Sequence, residues 1–231
     1  MNRLFIIGSI HESNDWVTSE ALTEIIRRIK PDVIFEEIPQ DMFEDIYERR
    51  KYPDVLEVTA VRSYIADGVN VKHFPVDIPY LPEIARKGEF NRIEKRIEEI
   101  IEKNPGQHKE IEQIKRIDKR IQEIESVSFE AINSRVYREG VKKRKKIQER
   151  VMKKYYPELF FGNKYEHDFH YIIRENYMVY RIASLMNEYQ NGLLIVGSSH
   201  CQSMYRKLQK QFKRKVQIIK YNKRCLTSSS T

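Results

Sequence analysis

Two short apolar runs, Leu4-Phe5-Ile6-Ile7 and Leu193-Leu194-Ile195-Val196, each break off into the same signature, Gly8-Ser9-Ile10-His11 and Gly197-Ser198-Ser199-His200. Four apolar residues with no polar alternation describe a strand covered on both faces, which restricts the chain to an α/β sheet flanked by helices. A glycine directly after such a strand is expected to let the backbone turn sharply as it leaves the sheet. The histidine is then delivered to the carboxyl edge, where open α/β sheets place their ligands. One such histidine is most simply a turn residue. Two, delivered by one device from opposite ends of the chain, point to a shared site.

The first 82 residues alternate in βαβ fashion. Thr18 to Ile29 carries Ala21, Leu22, Ile25, Ile26 and Ile29 as a helical stripe, with Thr18 as its cap and Pro31 as its stop. Val33-Ile34-Phe35 begins a second strand that ends in Glu36-Glu37-Ile38-Pro39. A helix over 54–66 ends at Asp67-Gly68, and Val69 to Val76 forms a third strand closed by Asp77. Strands separated by helix-length segments predict a mostly parallel central sheet with right-handed crossovers.

Residues 83–156 read as a long helical insertion. Ile93, Ile97 and Ile100, a break at Asn104-Pro105-Gly106, and Ile111, Ile114, Ile117, Ile121 and Ile124 describe an αα-hairpin with a narrow isoleucine seam. That seam closes either within the chain or across a homodimer. A third helix carries Lys142-Lys143-Arg144-Lys145-Lys146. Residues 157–225 return to the α/β core, with a helix over 171–189, the second Gly-x-x-His strand, a helix from Ser203 to Phe212 and a last strand at Val216–Ile219. Residues 226–231 form a Ser/Thr tail expected to be frayed.

The net charge of +8 would suggest an anionic partner, but it is unevenly spread. Glu83 to Lys154 holds 21 Lys/Arg and 14 Asp/Glu, while the rest is nearly balanced at 21 and 20. Cys201 and Cys225 are too few for a disulfide framework. Leu4 to Ile7 is too short for a signal-peptide core, and no run approaches a membrane span. The chain reads as soluble and cytoplasmic.

The chemistry-bearing residues collect where strands end. Glu36 and Glu37 point to opposite faces of their strand, so one can enter a site while the other meets solvent or a helix cap. Asp77 occupies the equivalent place after the third strand. On the late helix, Arg174 and Glu175 follow His167 and His170, and His170 and Arg174 share a face if the helix is regular. Two histidines with one or two carboxylates form a ligand set for zinc or a harder divalent ion, and an arginine can stabilise an oxyanion. The carboxylate can instead act as general base toward water.

These residues resemble those of the TraB/TIKI-type proteins of the erythromycin-esterase/ChaN-like superfamily. The likeness rests on Gly8-x-x-His11, on Pro31-Asp32 followed by Glu37-Ile38, on Arg174-Glu175-x-x-Met178 and on Gly197-x-x-His200. The resemblance selects Glu37 over Glu36. It departs at Val76-Asp77-Ile78, where the family commonly has an arginine after the aspartate, and at Glu175, where aspartate is more usual. It implies an α/β fold with a helical insertion before the Arg-Glu helix, and divalent-metal-dependent cleavage of a peptide or ester bond. The metal would be manganese, cobalt or zinc, held by His11, Glu37 and His200, and the catalytic set would be Glu37, Arg174 and Glu175. Glu36, Asp77, His167 and His170 are further candidates. The substrate would be a small molecule or a peptide. Many members carry membrane segments or ectodomain signals, and neither is expected from the runs in this sequence.

Two other readings compete. The α/β body can be a non-catalytic module binding a ligand or peptide, with the Lys142–Lys146 run contacting nucleic acid, although no nucleic-acid motif or aromatic interleaving accompanies it. Alternatively, Cys201, Ser198 or Ser199 can act as a nucleophile with His200. Adjacent residues rarely reach the geometry of a nucleophile–base pair, because the base normally arrives from elsewhere in the fold.

Overall fold

The computed structural model describes residues 1–53, 55–79, 109–155, 157 and 169–222, with nothing said of the side chains of Tyr155, Phe169 and His170. The expected helix at Ile93 to Ile100, the break at 104–106, His167, Cys225 and the tail all lie outside the described residues, and His170 is described in its backbone alone.

Five strands form one all-parallel sheet: β1 (Asn2–Ser9), β2 (Val33–Pro39), β3 (Lys72–Asp77), β4 (Asn191–Gly197) and β5 (Val216–Lys220), in the order β3-β2-β4-β1-β5. The helices are α1 (Ser19–Ile29), α2 (Phe43–Tyr47), α3 (Leu56–Ala66), α4 (Lys109–Glu125), α5 (Phe129–Ile132), α6 (Arg135–Tyr155), α7 (Glu175–Leu185) and α8 (Ser198–Phe212). Successive residues of each central strand face opposite sides of the sheet. Phe5, Ile7, Ile34, Leu193 and Ile195 pack with α1, α3 and α5 on one face. Leu4, Ile6, Val33, Phe35, Leu194 and Val196 pack with α7 and α8 on the other. Both faces are covered, which is why these strands carry unbroken apolar runs.

Several local expectations hold. Thr18 Oγ1 accepts from the Ala21 amide at 3.1 Å and caps α1. Others shift for identifiable reasons. The helix after β4 begins at Ser198, five residues earlier than expected, so His200 and Cys201 sit in its first turn. The late helix starts as a π-helical turn over Phe169–Arg174 before α7, and that wider i→i+5 turn does not preserve the i,i+4 alignment expected of His170 and Arg174.

The inserted segment is built into the body rather than set apart from it. Ile121, Phe129, Ile132 and Tyr137 share a core with β1 and α1. Among the described residues, the isoleucine seam of α4 closes within the chain: Ile111, Ile114 and Ile121 are buried, and Ile114 meets Ile147 and Val151 of α6. Asn133, between α5 and α6, locks this segment onto the end of β1. Its Oδ1 accepts from the Gly8 amide at 2.8 Å and its Nδ2 donates to the Gly8 carbonyl at 3.0 Å.

Neither Gly8 nor Gly197 has positive φ, so their role is close approach rather than the sharp turn expected. A Cβ on Gly8 would lie 2.9 Å from Ser198 Cα and 3.1 Å from Asn133 Oδ1. The unusual conformation belongs instead to His11, at φ 64°. Few non-glycine residues are held in this left-handed region.

Candidate functional site

At the amino edge, Asp32 sets the register between β2 and β4. Its Oδ2 accepts from the amides of Gln190 at 3.1 Å and Asn191 at 2.8 Å. Val33 then pairs with Gly192 and Glu36 with Ile195, while on the other side of β4 Ser9 pairs with Gly197. The Pro31-Asp32 element thus acts at the far end of the strands from the histidines. Its effect is to bring the ends of β2, β4 and β1 level.

At the carboxyl edge, four adjacent strands each bring up one polar side chain: Asp77 at the end of β3, Glu37 in β2, His200 just after β4 and His11 just after β1. Gly197 sits among them. A Cβ there would lie 3.0 Å from His11 Nε2, 3.4 Å from Glu37 Oε2 and 3.6 Å from His200 Cδ2. Residues from opposite ends of the chain therefore border one point.

Each imidazole has its Nδ1 set against a carboxylate. His200 Nδ1 lies 2.9 Å from Glu175 Oε1, and Glu175 is fully buried, also meeting Ser203 Oγ at 2.5 Å and Lys207 Nζ at 3.2 Å. Glu175 therefore stands behind His200 as a positioning residue. His11 Nδ1 lies 2.8 Å from Glu57 Oε1 of α3, a contact that is an ion pair when the imidazole is protonated. Such backing fixes the ring and leaves Nε2 for chemistry. His200 Nε2 lies 3.8 Å from Glu37 Oε1, close enough to attract and too far for a hydrogen bond.

Glu37 is engaged at both oxygens. Oε1 accepts from Arg174 at 2.9 Å and Oε2 from the Gly197 amide at 2.7 Å. Arg174 also donates to Asp77, through Nε at 3.0 Å and through its terminal NH2. The aspartate that lacks a following arginine in the sequence thus receives one from the π-helical turn. Burial alone would lower the Arg174 guanidinium, but Asp77 and then Glu37 outweigh it and hold it above its ordinary value.

Contact with Glu57 lifts His11 above its ordinary 6.5, against burial, which acts the other way. Burial would raise Glu57, yet His11 and Ser9 outweigh it and hold this carboxyl below 4.5. The two shifts have opposite signs for stability. The His11 contribution is complete below pH 6.5 and lost as pH rises through its higher folded value; that of Glu57 is complete above pH 4.5 and lost as pH falls through its lower one. The melting-temperature gap between wild type and His11→Gln should be widest between pH 4.5 and 6.5 and narrow on both sides. Because the His11 side chain is half exposed, the gap is small, and thermal scans from pH 4 to 9 check it; a gap independent of pH refutes the pairing.

Glu36 points to the opposite face, as the alternation requires. It is buried against His73 Nδ1 at 2.9 Å and the Tyr47 hydroxyl, and burial, only partly offset by these partners, raises its carboxyl. It is absent from the cluster around Gly197. Cys201 is also buried and raised by that burial, with its Sγ 3.7 Å from Asn133 Oδ1, which makes it a poor nucleophile. Ser198 Oγ is 3.1 Å from the Tyr137 hydroxyl, which itself donates to Glu125.

Sequence reasoning missed Glu57, Ser203, Lys207 and Tyr171. Only Glu57 left a signal, as an acid on the otherwise apolar buried face of α3 that includes Leu56, Val58, Ala60 and Val61.

The donor chemistry suits a divalent ion, since two carboxylate-backed imidazoles match how metal ligands are usually oriented. Among the described residues, however, no group of three or more His, Cys, Asp and Glu side chains is arranged to hold one. No described helix is long and apolar enough to cross a membrane. Comparison with protein-family models, with curated proteins and with solved structures gave no match.

Proposed function

We propose that this protein is a hydrolase of a peptide or ester bond, related to the TraB/TIKI-type proteins, with its reaction centre at Gly197. The observation that carries the reading is the pair of imidazoles from opposite ends of the chain, each backed at Nδ1 by a carboxylate and set around one glycine with Glu37. His11 and His200 would hold a divalent ion through Nε2, with Glu37 beside them. When bound, such an ion acts as a Lewis acid and makes a water nucleophilic near neutral pH.

The chain's own residues have definable parts. Glu175 and Glu57 keep the two rings oriented. Arg174 holds Glu37 in place and sets positive charge beside it, where an oxyanion develops during attack on a carbonyl.

A second reading is metal-free acid–base hydrolysis by the same imidazoles, favoured by Glu37 having both oxygens engaged. Calorimetric titration with manganese, cobalt and zinc, alongside a screen of neutral and charged esters and peptides, separates the two. The first reading expects one ion per chain, lost in His11→Ala and in His200→Ala, and activity that chelator removes. Turnover that survives chelation supports the second. Absence of turnover with and without metal refutes both.

A further inference from the structure

The protein has 42 Lys/Arg and 34 Asp/Glu, and α6 alone holds ten and two of them, which leaves 32 of each sign elsewhere. One helix therefore carries the whole net charge of +8. Its neighbour α4 does not neutralise it, having five of each sign. Within α6, Arg135 is matched by Glu139 and Arg144 by Asp118, while Lys142, Lys143 and Lys146 are exposed.

This helix runs past the candidate site. Near its start the Tyr137 hydroxyl meets Ser198 Oγ, at the first residue of α8. Two turns on, Lys145 Nζ stands 4.3 Å from the centre of the Tyr171 ring, and that ring stacks on His200 at 4.8 Å with the planes 30° apart. The chain Lys145–Tyr171–His200 links the basic helix to one imidazole of the site. The acids of the site are already matched: Glu37 and Asp77 by Arg174, Glu175 by His200 and Lys207, Glu57 by His11. The first turn of α8, which opens directly on Gly197, holds no acid, so its dipole adds to the positive field there.

Resting on the hydrolase reading, we propose that the substrate is anionic, with carboxylates beside the scissile bond, and that α6 draws it onto Gly197 past Lys145 and Tyr171. Charge of one sign beside a cleft raises both the encounter rate and the local concentration of an oppositely charged substrate, and salt weakens the effect. Carboxylates of this kind come from an acidic peptide or from a small dicarboxylic monoester.

The test uses the full chain and matched substrates: acetyl-Asp-Glu, acetyl-Asn-Gln and acetyl-Lys-Lys nitroanilides, and nitrophenyl hemisuccinate against nitrophenyl butyrate. The acidic member of whichever series is turned over should lead in kcat/KM by roughly tenfold at low salt, a lead that shrinks as salt rises. Lys142→Gln/Lys143→Gln/Lys146→Gln should lower the acidic-to-neutral ratio. The peptide and ester series tell the two sources apart. Equal rates across charge, or a lead indifferent to salt, overturn the proposal while leaving the hydrolase reading standing. If nothing is hydrolysed, the hydrolase reading falls with its scissile bond, and calorimetry with acetyl-Asp-Glu at low salt decides the remaining part, that α6 draws an anion to this site. Binding weakened by Lys145→Gln upholds it; no binding, or RNA binding to α6 that the dipeptide cannot compete, overturns it.

Discussion

Arg174→Ala should lower the unfolding free energy by about 3–5 kcal/mol, the cost of removing one partner from a buried ion pair. Arg174 is the cation shared by Glu37 and Asp77, whose side chains are 8% and 5% exposed. Without it, two buried carboxylates at the ends of β2 and β3 face each other with their charges unmatched. Arg174→Lys keeps one positive charge but not the planar fork that reaches both acids, and should fall between the two. Urea titration of wild type and both variants measures all three. A loss below about 1 kcal/mol, within the range of an exposed salt bridge, would mean that the network is solvated and does not hold the edge together.

Gly197→Ala should lower hydrolysis about a hundredfold or more, the scale of losses from a misplacement of about an ångström, and leave the fold nearly intact. The new methyl would stand 3.0 Å from His11 Nε2 and 3.4 Å from Glu37 Oε2, in the middle of the proposed centre. Backbone strain is no obstacle, since Gly197 has φ −51° and ψ 138°, open to alanine. The half-exposed His11 ring need give by only a few tenths of an ångström, so the unfolding free energy should change by no more than about 1 kcal/mol. His200→Ala should also abolish turnover, but less cleanly, because it strips a partner from the fully buried Glu175. Activity assays beside urea curves separate the two effects. If Gly197→Ala turns over substrate at the wild-type rate, the centre lies elsewhere.

The sequence carried the strands, the sidedness of Glu36 and Glu37, and the helical nature of the inserted segment. All three follow from periodicity, which is a local property. The start of α8 was harder to place, because Ser198-Ser199-His200 has no apolar stripe and Gly197 provides no side-chain cap. The reason for the two glycines also differs between sequence and structure. Sequence suggests conformational freedom, whereas the packed chain uses their lack of a Cβ, Gly8 against Ser198 and Gly197 against His11.

From residues alone came a parallel α/β body with two histidines at strand ends, because apolar runs, caps and breakers act within a few positions of one another. Only the folded chain decided which side chains meet. Glu57 reaches His11 and Arg174 reaches Asp77 because β4 inserts between β1 and β2 and because the turn before α7 is π-helical. Pairings of that kind depend on strand order and register, which are set by the whole core at once and leave no mark in the spacing of neighbouring residues.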